Sequence, residues 1–275
     1  MVTGGVAGNR DHSALSVFAG ELRHARTGHA LSQEQLAEKI AYSSSLVGMV
    51  EACRRIPSMD FARRCDEALE TGGVLERMHS LVAGEAYPSW FRPFVELEQA
   101  AASLRTWEPV LVPGLLQTVG YARAVLKAAR PTDPDEQIAQ AVTARIERQQ
   151  ILARDEPPML WAVIDEAALR RPVGGNHVMG EQVVRLLDAA QQPRIIIQVV
   201  PLAVGANAGM TGAFVIASFA SQPDAVHLDS AGAGLIAESA EVVAACAFTF
   251  DSLRADALSP AQTLDMLRSE ADRWT

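Results

Sequence analysis

Three serines divide the stretch from residue 32 to residue 70 into short helices. Ser32, Ser43 and Ser58 each stand directly before an amphipathic run. Serine is a preferred N-cap because its hydroxyl accepts a hydrogen bond from an orphan N–H of the first helical turn. Ser32-Gln-Glu-Gln35 also matches a capping box, in which the Gln35 side chain reaches back to the Ser32 amide. The helix it opens packs Leu36, Ala37 and Ile40, and Ala41-Tyr42-Ser43 is the turn. The next helix, around Ser44–Ala52, buries Val47 and Val50 and ends before Arg54 to Pro57. Met59–Glu70 then turns Phe61, Ala62, Cys65 and Leu69 inward. Upstream, residues 13–27 carry Leu15, Phe18, Ala19, Leu22, Ala25 and Arg26 at helical spacing, ending near Gly28. A chain cut up in this way folds as a four- to five-helix bundle over residues 13–73, with Thr71-Gly72-Gly73 as the breaker at its end.

Two short helices joined by a tight turn form the helix-turn-helix arrangement, whose second helix presents its first residues to base edges in the major groove. Leu31-Ser-Gln-Glu-Gln-Leu-Ala-Glu-Lys-Ile40, Ser43-Ser-Ser-Leu-Val-Gly-Met-Val-Glu51 and Arg54-Arg-Ile-Pro57 together resemble the phage-repressor-like (XRE) family of DNA-binding transcription regulators. The resemblance implies base reading by Ser44, Ser45 and Met49. Gly48 lies on the same face, where a missing side chain lets backbone approach the DNA. It also implies a phosphate held by Gln33 at a helix N-terminus, with Ser32, Ser43, Arg54 and Arg55 as further backbone contacts. Arg26 and Glu51 match a family ion pair, read either as buried or as two solvated charges. Cys53 stands where the family has a helix-closing glycine, so the helix either runs on or adopts a left-handed residue at a cost of about 1–2 kcal/mol. The serines and Met49 discriminate weakly between bases, and no operator sequence follows from them.

Net charge runs against nucleic-acid binding, which draws on Lys and Arg to neutralise phosphates. The chain carries −9, but residues 1–72 hold 8 basic and 9 acidic residues, so −8 lies beyond them. Arg54, Arg55, Arg63 and Arg64 cluster within the nearly neutral first part.

At 275 residues and 49% hydrophobic, the chain is long enough for two units. We divide it into a flexible N-terminus (1–12), the helix-turn-helix domain (13–73), connecting helices (74–102) and an α+β domain (103–275). The last has helices at about 114–129, 133–154, 165–170, 177–191 and 239–256, and strands at about 159–164, 194–201, 212–219 and 225–229. The fold class is mainly α, with a modest sheet packed by helices in the second domain. Glu238–Leu258 and Pro260–Trp274 either close its core or form a dimer seam.

Three cysteines in an odd set without CxxC spacing, no apolar run in Met1–His12 and no long apolar stretch point to reduced thiols and the cytoplasm rather than a disulfide framework, a zinc site or a membrane. No cofactor is expected. In the second domain Asp165, Glu166, His177, His227 and Asp229 match no catalytic motif, so no enzyme is expected. Trp107, Trp161 and Val110–Leu116 either line a ligand pocket or fill the core, and Asn207 sits in a Gly/Ala-rich loop, Gly205–Gly212, read as mobile.

Tyr87-Pro-Ser-Trp-Phe-Arg-Pro-Phe-Val-Glu-Leu-Glu98, Trp107-Glu-Pro-Val-Leu-Val-Pro-Gly-Leu-Leu-Gln-Thr118, Leu160-Trp-Ala-Val-Ile-Asp-Glu166 and Leu169-Arg-Arg-Pro-Val-Gly174 resemble a domain attached to such modules in actinobacteria, especially streptomycetes. That resemblance implies a pleiotropic regulator encoded beside a small companion protein, in a toxin–antitoxin-like pair. The expected function is a dimeric regulator of double-stranded DNA controlled through its second domain by a companion protein or a small-molecule ligand. The alternative is an antitoxin-like module that sequesters the companion and binds DNA for autoregulation.

Overall fold

The computed structural model describes residues 14–85, 87–230 and 233–274, in two compact units, Met1–Pro88 and Ser89–Thr275. The N-terminal segment 1–12, expected to be flexible, lies outside the described residues.

The first unit holds α1 (Ala14–Gly28), α2 (Gln33–Ile40), α3 (Ser44–Glu51), α4 (Met59–Leu69) and α5 (Val74–Glu85). The apolar stripes of these helices meet in one core that includes Phe18, Leu22, Leu36, Val47, Phe61 and Leu69, all 0–1% exposed. α5 was expected to connect the domains, but it packs into this core through Leu75 and Val82. Two polar groups hold it there. The buried Asp66 of α4 accepts from the α5 N–H groups of Leu75 (2.9 Å) and Glu76 (2.7 Å). His79 bonds the Pro57 carbonyl at 3.0 Å. Gly72 and Gly73, with φ of +67° and +80°, fold the chain back rather than ending the domain.

The second unit opens with α6 (Arg92–Ala100) and contains a six-stranded mixed sheet of order β3-β2-β1-β4-β5-β6. Its elements in chain order are β1 (Ser103–Glu108), α7 (Val119–Ala129), α8 (Asp135–Arg148), β2 (Met159–Asp165), α9 (Glu166–Arg170), α10 (Asn176–Ala189), β3 (Ile195–Val200), β4 (Phe214–Ser218), β5 (Ala225–Ser230), β6 (Ala233–Ala237), α11 (Ala240–Asp256) and α12 (Pro260–Trp274). β1, β2 and β3 are parallel, whereas β4 to β6 run on as an antiparallel meander from β1. β1 and β6 were not foreseen.

Strand residues alternate between the two faces of this sheet. Leu104, Ala162, Ile164, Ile197 and Ala217 share one apolar cluster with Met179, Val183 and Leu186 of α10 and Leu267 of α12. Trp107, Val163, Val200, Phe214, Ile216 and Val226 share another with Phe250 and Leu253 of α11. The last two helices thus close opposite faces of the sheet. Among the described residues no helix is long and apolar enough to cross a membrane.

Candidate nucleic-acid interface and a polar sheet face

α2 begins with the complete capping box: the Gln35 N–H donates to Ser32 Oγ (3.1 Å), and the Ser32 N–H donates to Gln35 Oε1 (2.8 Å). It ends on Ala41 with φ +56°, and the Tyr42 N–H then reaches back to the Ala37 carbonyl at 3.0 Å. This left-handed residue makes the tight turn. Tyr42 fixes its exit by donating to Asp60 Oδ2 (3.0 Å) and packing edge-on against Phe61. Ser43 then caps α3 by accepting from the Leu46 N–H at 3.2 Å.

α3 therefore starts at Ser44, with Ser44 and Ser45 exposed at its first turn and Met49 half-buried one turn later. Gly48 also makes room within the unit. A methyl group there would lie 3.2 Å from Gln33 Oε1, so the glycine makes room for the Gln33 carboxamide crossing α3. The other end of that carboxamide donates to Glu51 Oε2 at 2.8 Å. Gln33 is thus turned towards Glu51.

Glu51, whose side chain is 1% exposed, is the centre of the motif. Arg26 donates to both its oxygens, Nε to Oε1 at 2.6 Å and Nη2 to Oε2 at 2.9 Å. Arg23 approaches Oε2 at 3.6 Å and donates to the Glu51 carbonyl at 2.9 Å. Burial alone would raise the pKa of the Glu51 carboxyl, but the bonds from Arg26 and Gln33 and the charges of both arginines hold it below the ordinary range. α3 closes at Cys53, with φ +56°. The Cys53 N–H bonds Val50 O (3.0 Å) and the Arg54 N–H bonds Met49 O (2.8 Å), as in a Schellman cap. The helix does not run on.

The four arginines of the cluster divide. Arg63 and Arg64 pair with Asp60, each at 2.7 Å, and Arg54 and Arg55 are exposed residues just beyond α3. Cys65 is fully buried, and burial together with the nearby Asp66 and Glu51 charges pushes its thiol up to about 12. It is a core residue, not a redox thiol.

In the second unit the residues singled out from the sequence are spread over both faces of the sheet. Trp107 is 0% exposed and core, with its Nε1 donating to the Gly209 carbonyl at 2.8 Å. Trp161, on the same sheet face, donates to Gln198 Oε1 (2.8 Å) beneath the Arg254 guanidinium. Asn207 accepts from the Gly209 N–H at 3.0 Å, so the Gly/Ala-rich loop is tied down at Gly209. Asp165 caps α9, and Glu166 pairs with Arg170 and accepts from the Leu202 N–H. His177 is exposed beside Glu181.

The polar chemistry lies on the other face, one residue on from Trp107. Burial and the Asp229 charge, opposed by Arg145 and Arg148, push the Glu108 carboxyl up to about 8. Arg148 is 8% exposed, pairs with Glu98 at 3.2 Å and lies 5.0 Å over the Phe91 ring; Gly114 leaves it room, since a methyl there would stand 2.5 Å from Nη2. Arg145 donates to Gln117 Oε1 (2.8 Å), and Gln149 binds the Gly114 and Gln117 carbonyls. The run from Trp107 to Thr118 is thus strapped to α8 and to the turn that follows it. His227 is stacked on Phe94 at 4.3 Å, with Phe91 and Trp90 closing it in. Burial, against the pull of Asp229 and together with Arg148, holds His227 below its ordinary pKa and keeps it neutral.

A capped two-helix unit with a left-handed turn, whose second helix opens exposed serines to solvent, defines a helix-turn-helix DNA-binding regulator. Residues 17–78 match the helix-turn-helix domain family, a span that runs into α5, as the packing of that helix requires. The chain belongs to the family of the domain of unknown function DUF5753, which matches residues 91–269, from the start of α6 into α12. No curated protein and no solved structure matches the chain.

Proposed function

We infer that this chain is a dimeric transcription regulator of the XRE type, of actinobacterial kind, that acts in the cytoplasm, reads an operator through α3 and is controlled through its second unit rather than being an enzyme. The observation that carries the reading is the first turn of α3. Ser43 has its hydroxyl oxygen on the Leu46 N–H, Ser44 and Ser45 stand exposed, and Arg54 and Arg55 lie exposed just past the helix end. Serines and Met49 suit hydrogen bonds to several bases and a thymine methyl, and the arginines suit phosphates. A single eight-residue helix makes few base contacts, so paired half-sites and DNA shape supply the remaining specificity.

Gel-shift against the chain's own upstream region tests this. A Ser44/Ser45/Met49 triple alanine variant with unchanged helical content is expected to lose discrimination between operator and random duplex. Equal discrimination by the two proteins overturns the assignment of base-reading residues. Arg54→Ala is expected to lower the slope of log affinity against log salt by about one unit if it neutralises a phosphate.

A further inference from the structure

The register of the sheet brings two carboxyl groups together that lie 121 residues apart in the chain. Trp107 pairs with Phe214, which sets Glu108 against Ala213 one step further on. The Asp229 N–H donates to the Ala213 carbonyl at 3.1 Å, and Asp229 pairs with Gly234. One cross-strand row therefore reads Glu108, Ala213, Asp229, Gly234. Two strand spacings, about 10 Å, separate the backbones of the two acids, and Ala213 between them and Gly234 beyond carry no large side chain.

The neighbouring row carries Thr106, Val215, His227 and Ile236 on the same face. His227 is 5% exposed, and its Nε2 has no hydrogen-bond partner among the described residues. That nitrogen points at the first row, because a methyl group on Gly234 would overlap it and would stand 2.8 Å from the Trp90 ring. A buried imidazole nitrogen without a partner is costly, and such groups are normally satisfied by protein, water or a ligand.

We propose that this face, with Glu108 and Asp229 as the anionic pair and His227 Nε2 as the third polar contact, binds a small organic ligand through a cationic amino group. Among the described residues no three His, Cys, Asp or Glu side chains converge closely enough to hold a metal ion. The positive groups already present do not serve the pair fully. Arg148 is bound to Glu98 and stacked on Phe91, and Arg145 is bound to Gln117. Glu98 of α6 and Tyr121 of α7 complete the titratable surroundings, and burial raises the pKa of both. Without ligand, Glu108 keeps its proton at neutral pH. An ammonium group beside Glu108 favours its ionised form, so binding releases the Glu108 proton and tightens as pH rises towards about 8. Trp90 and Phe91 supply aromatic faces for the rest of the ligand.

The proposal rests on the reading of the second unit as the controlled half of the chain, and its test uses no DNA, so it stands or falls apart from the gel-shift result. The probes are methylamine, ethanolamine and 1,4-diaminobutane, titrated by calorimetry into the full chain at pH 7 in two buffers of different ionisation heat, with 1,4-butanediol as the uncharged control. At least one amine is expected to bind with release of a proton and a change in tryptophan emission, and the diol is not. Glu108→Gln is expected to abolish the proton release, and Asp229→Asn to weaken binding by about tenfold or more. Asp229 is exposed, so its variant keeps the test valid if the half-buried Glu108→Gln protein folds poorly. Binding of none of the amines, equal binding of the diol, or amine binding unchanged in Asp229→Asn overturns the proposal.

Discussion

In the first unit four turns are closed by left-handed residues that are not glycine: Ala30, Ala41, Cys53 and Glu70, with φ between +50° and +56°. In the second unit every left-handed position among the described residues is a glycine. The same long-reach bond recurs at the four turns, from Leu31, Tyr42, Arg54 and Thr71 to carbonyls five residues back. The units differ equally in how they bury charge. Glu51 has every contact it needs from Arg26, Gln33 and Arg23, whereas His227 Nε2 in the second unit is buried with no hydrogen-bond partner among the described residues. A satisfied buried carboxylate holds a domain together. A buried polar group without a protein partner is where water or a ligand is normally found.

The largest expected effect breaks the first half of this comparison. Glu51→Ala leaves Arg26 without its bidentate partner and is expected to cost about 3–5 kcal/mol, enough to unfold the first unit. All four tryptophans, Trp90, Trp107, Trp161 and Trp274, lie in the second unit, so their emission should stay native while helical circular dichroism falls. A stable but DNA-inactive Glu51→Ala protein would count against the ion-pair account. Next in size, Gly209→Ala forces a methyl into the Trp107 indole, and overpacking of this kind costs about 1–3 kcal/mol. Here the tryptophan signal should melt earlier and the first unit should not change.

The third effect has the opposite sign. Cys53→Gly is expected to stabilise the first unit by about 1 kcal/mol by relieving the left-handed cap, read as a higher denaturant midpoint at unchanged slope. No gain would mean that the thiol's own contacts, such as that to the Leu15 carbonyl, offset the strain. The smallest effect is on pH. Because Glu51 is held below its unfolded pKa, its contribution is complete above about 4.3 and is lost as pH falls through the folded value. Acid titration of the first unit should show this loss and Glu51→Gln should not.

The first unit was legible because its signals are local. A serine cap, a capping box and a run of apolar residues at helical spacing can all be read within a turn or two. The reading of α5 as a connector arises because Gly72-Gly73 looks like a domain end. What folds the helix back is the side chain of Asp66, nine residues before Leu75. In the second unit β3 stood out by its β-branched run, but β1 and β6 did not. Ser-Leu-Arg-Thr-Trp-Glu carries two charges, and Ala-Gly-Leu-Ile-Ala has little β-propensity. Trp107 attracted notice as an aromatic, yet it is core, and Glu108 beside it was passed over. A carboxylate directly after Trp107, at the end of a short strand, is the one available signal. Its nearness to Asp229 follows from sheet register, which a single sequence does not display.

The strand order also bears on when each unit is complete during synthesis. β1 gains its parallel neighbour only at residue 159 and its antiparallel one only at residue 214. The helices of the first unit contact one another within about one domain's length, so it can fold while the rest is still being made. The second unit waits for nearly its whole length to emerge, its central strand without a partner on the β4 side. A truncated product of this gene would therefore tend to carry a folded DNA-binding unit attached to an incomplete sheet, exposed to chaperones and proteases.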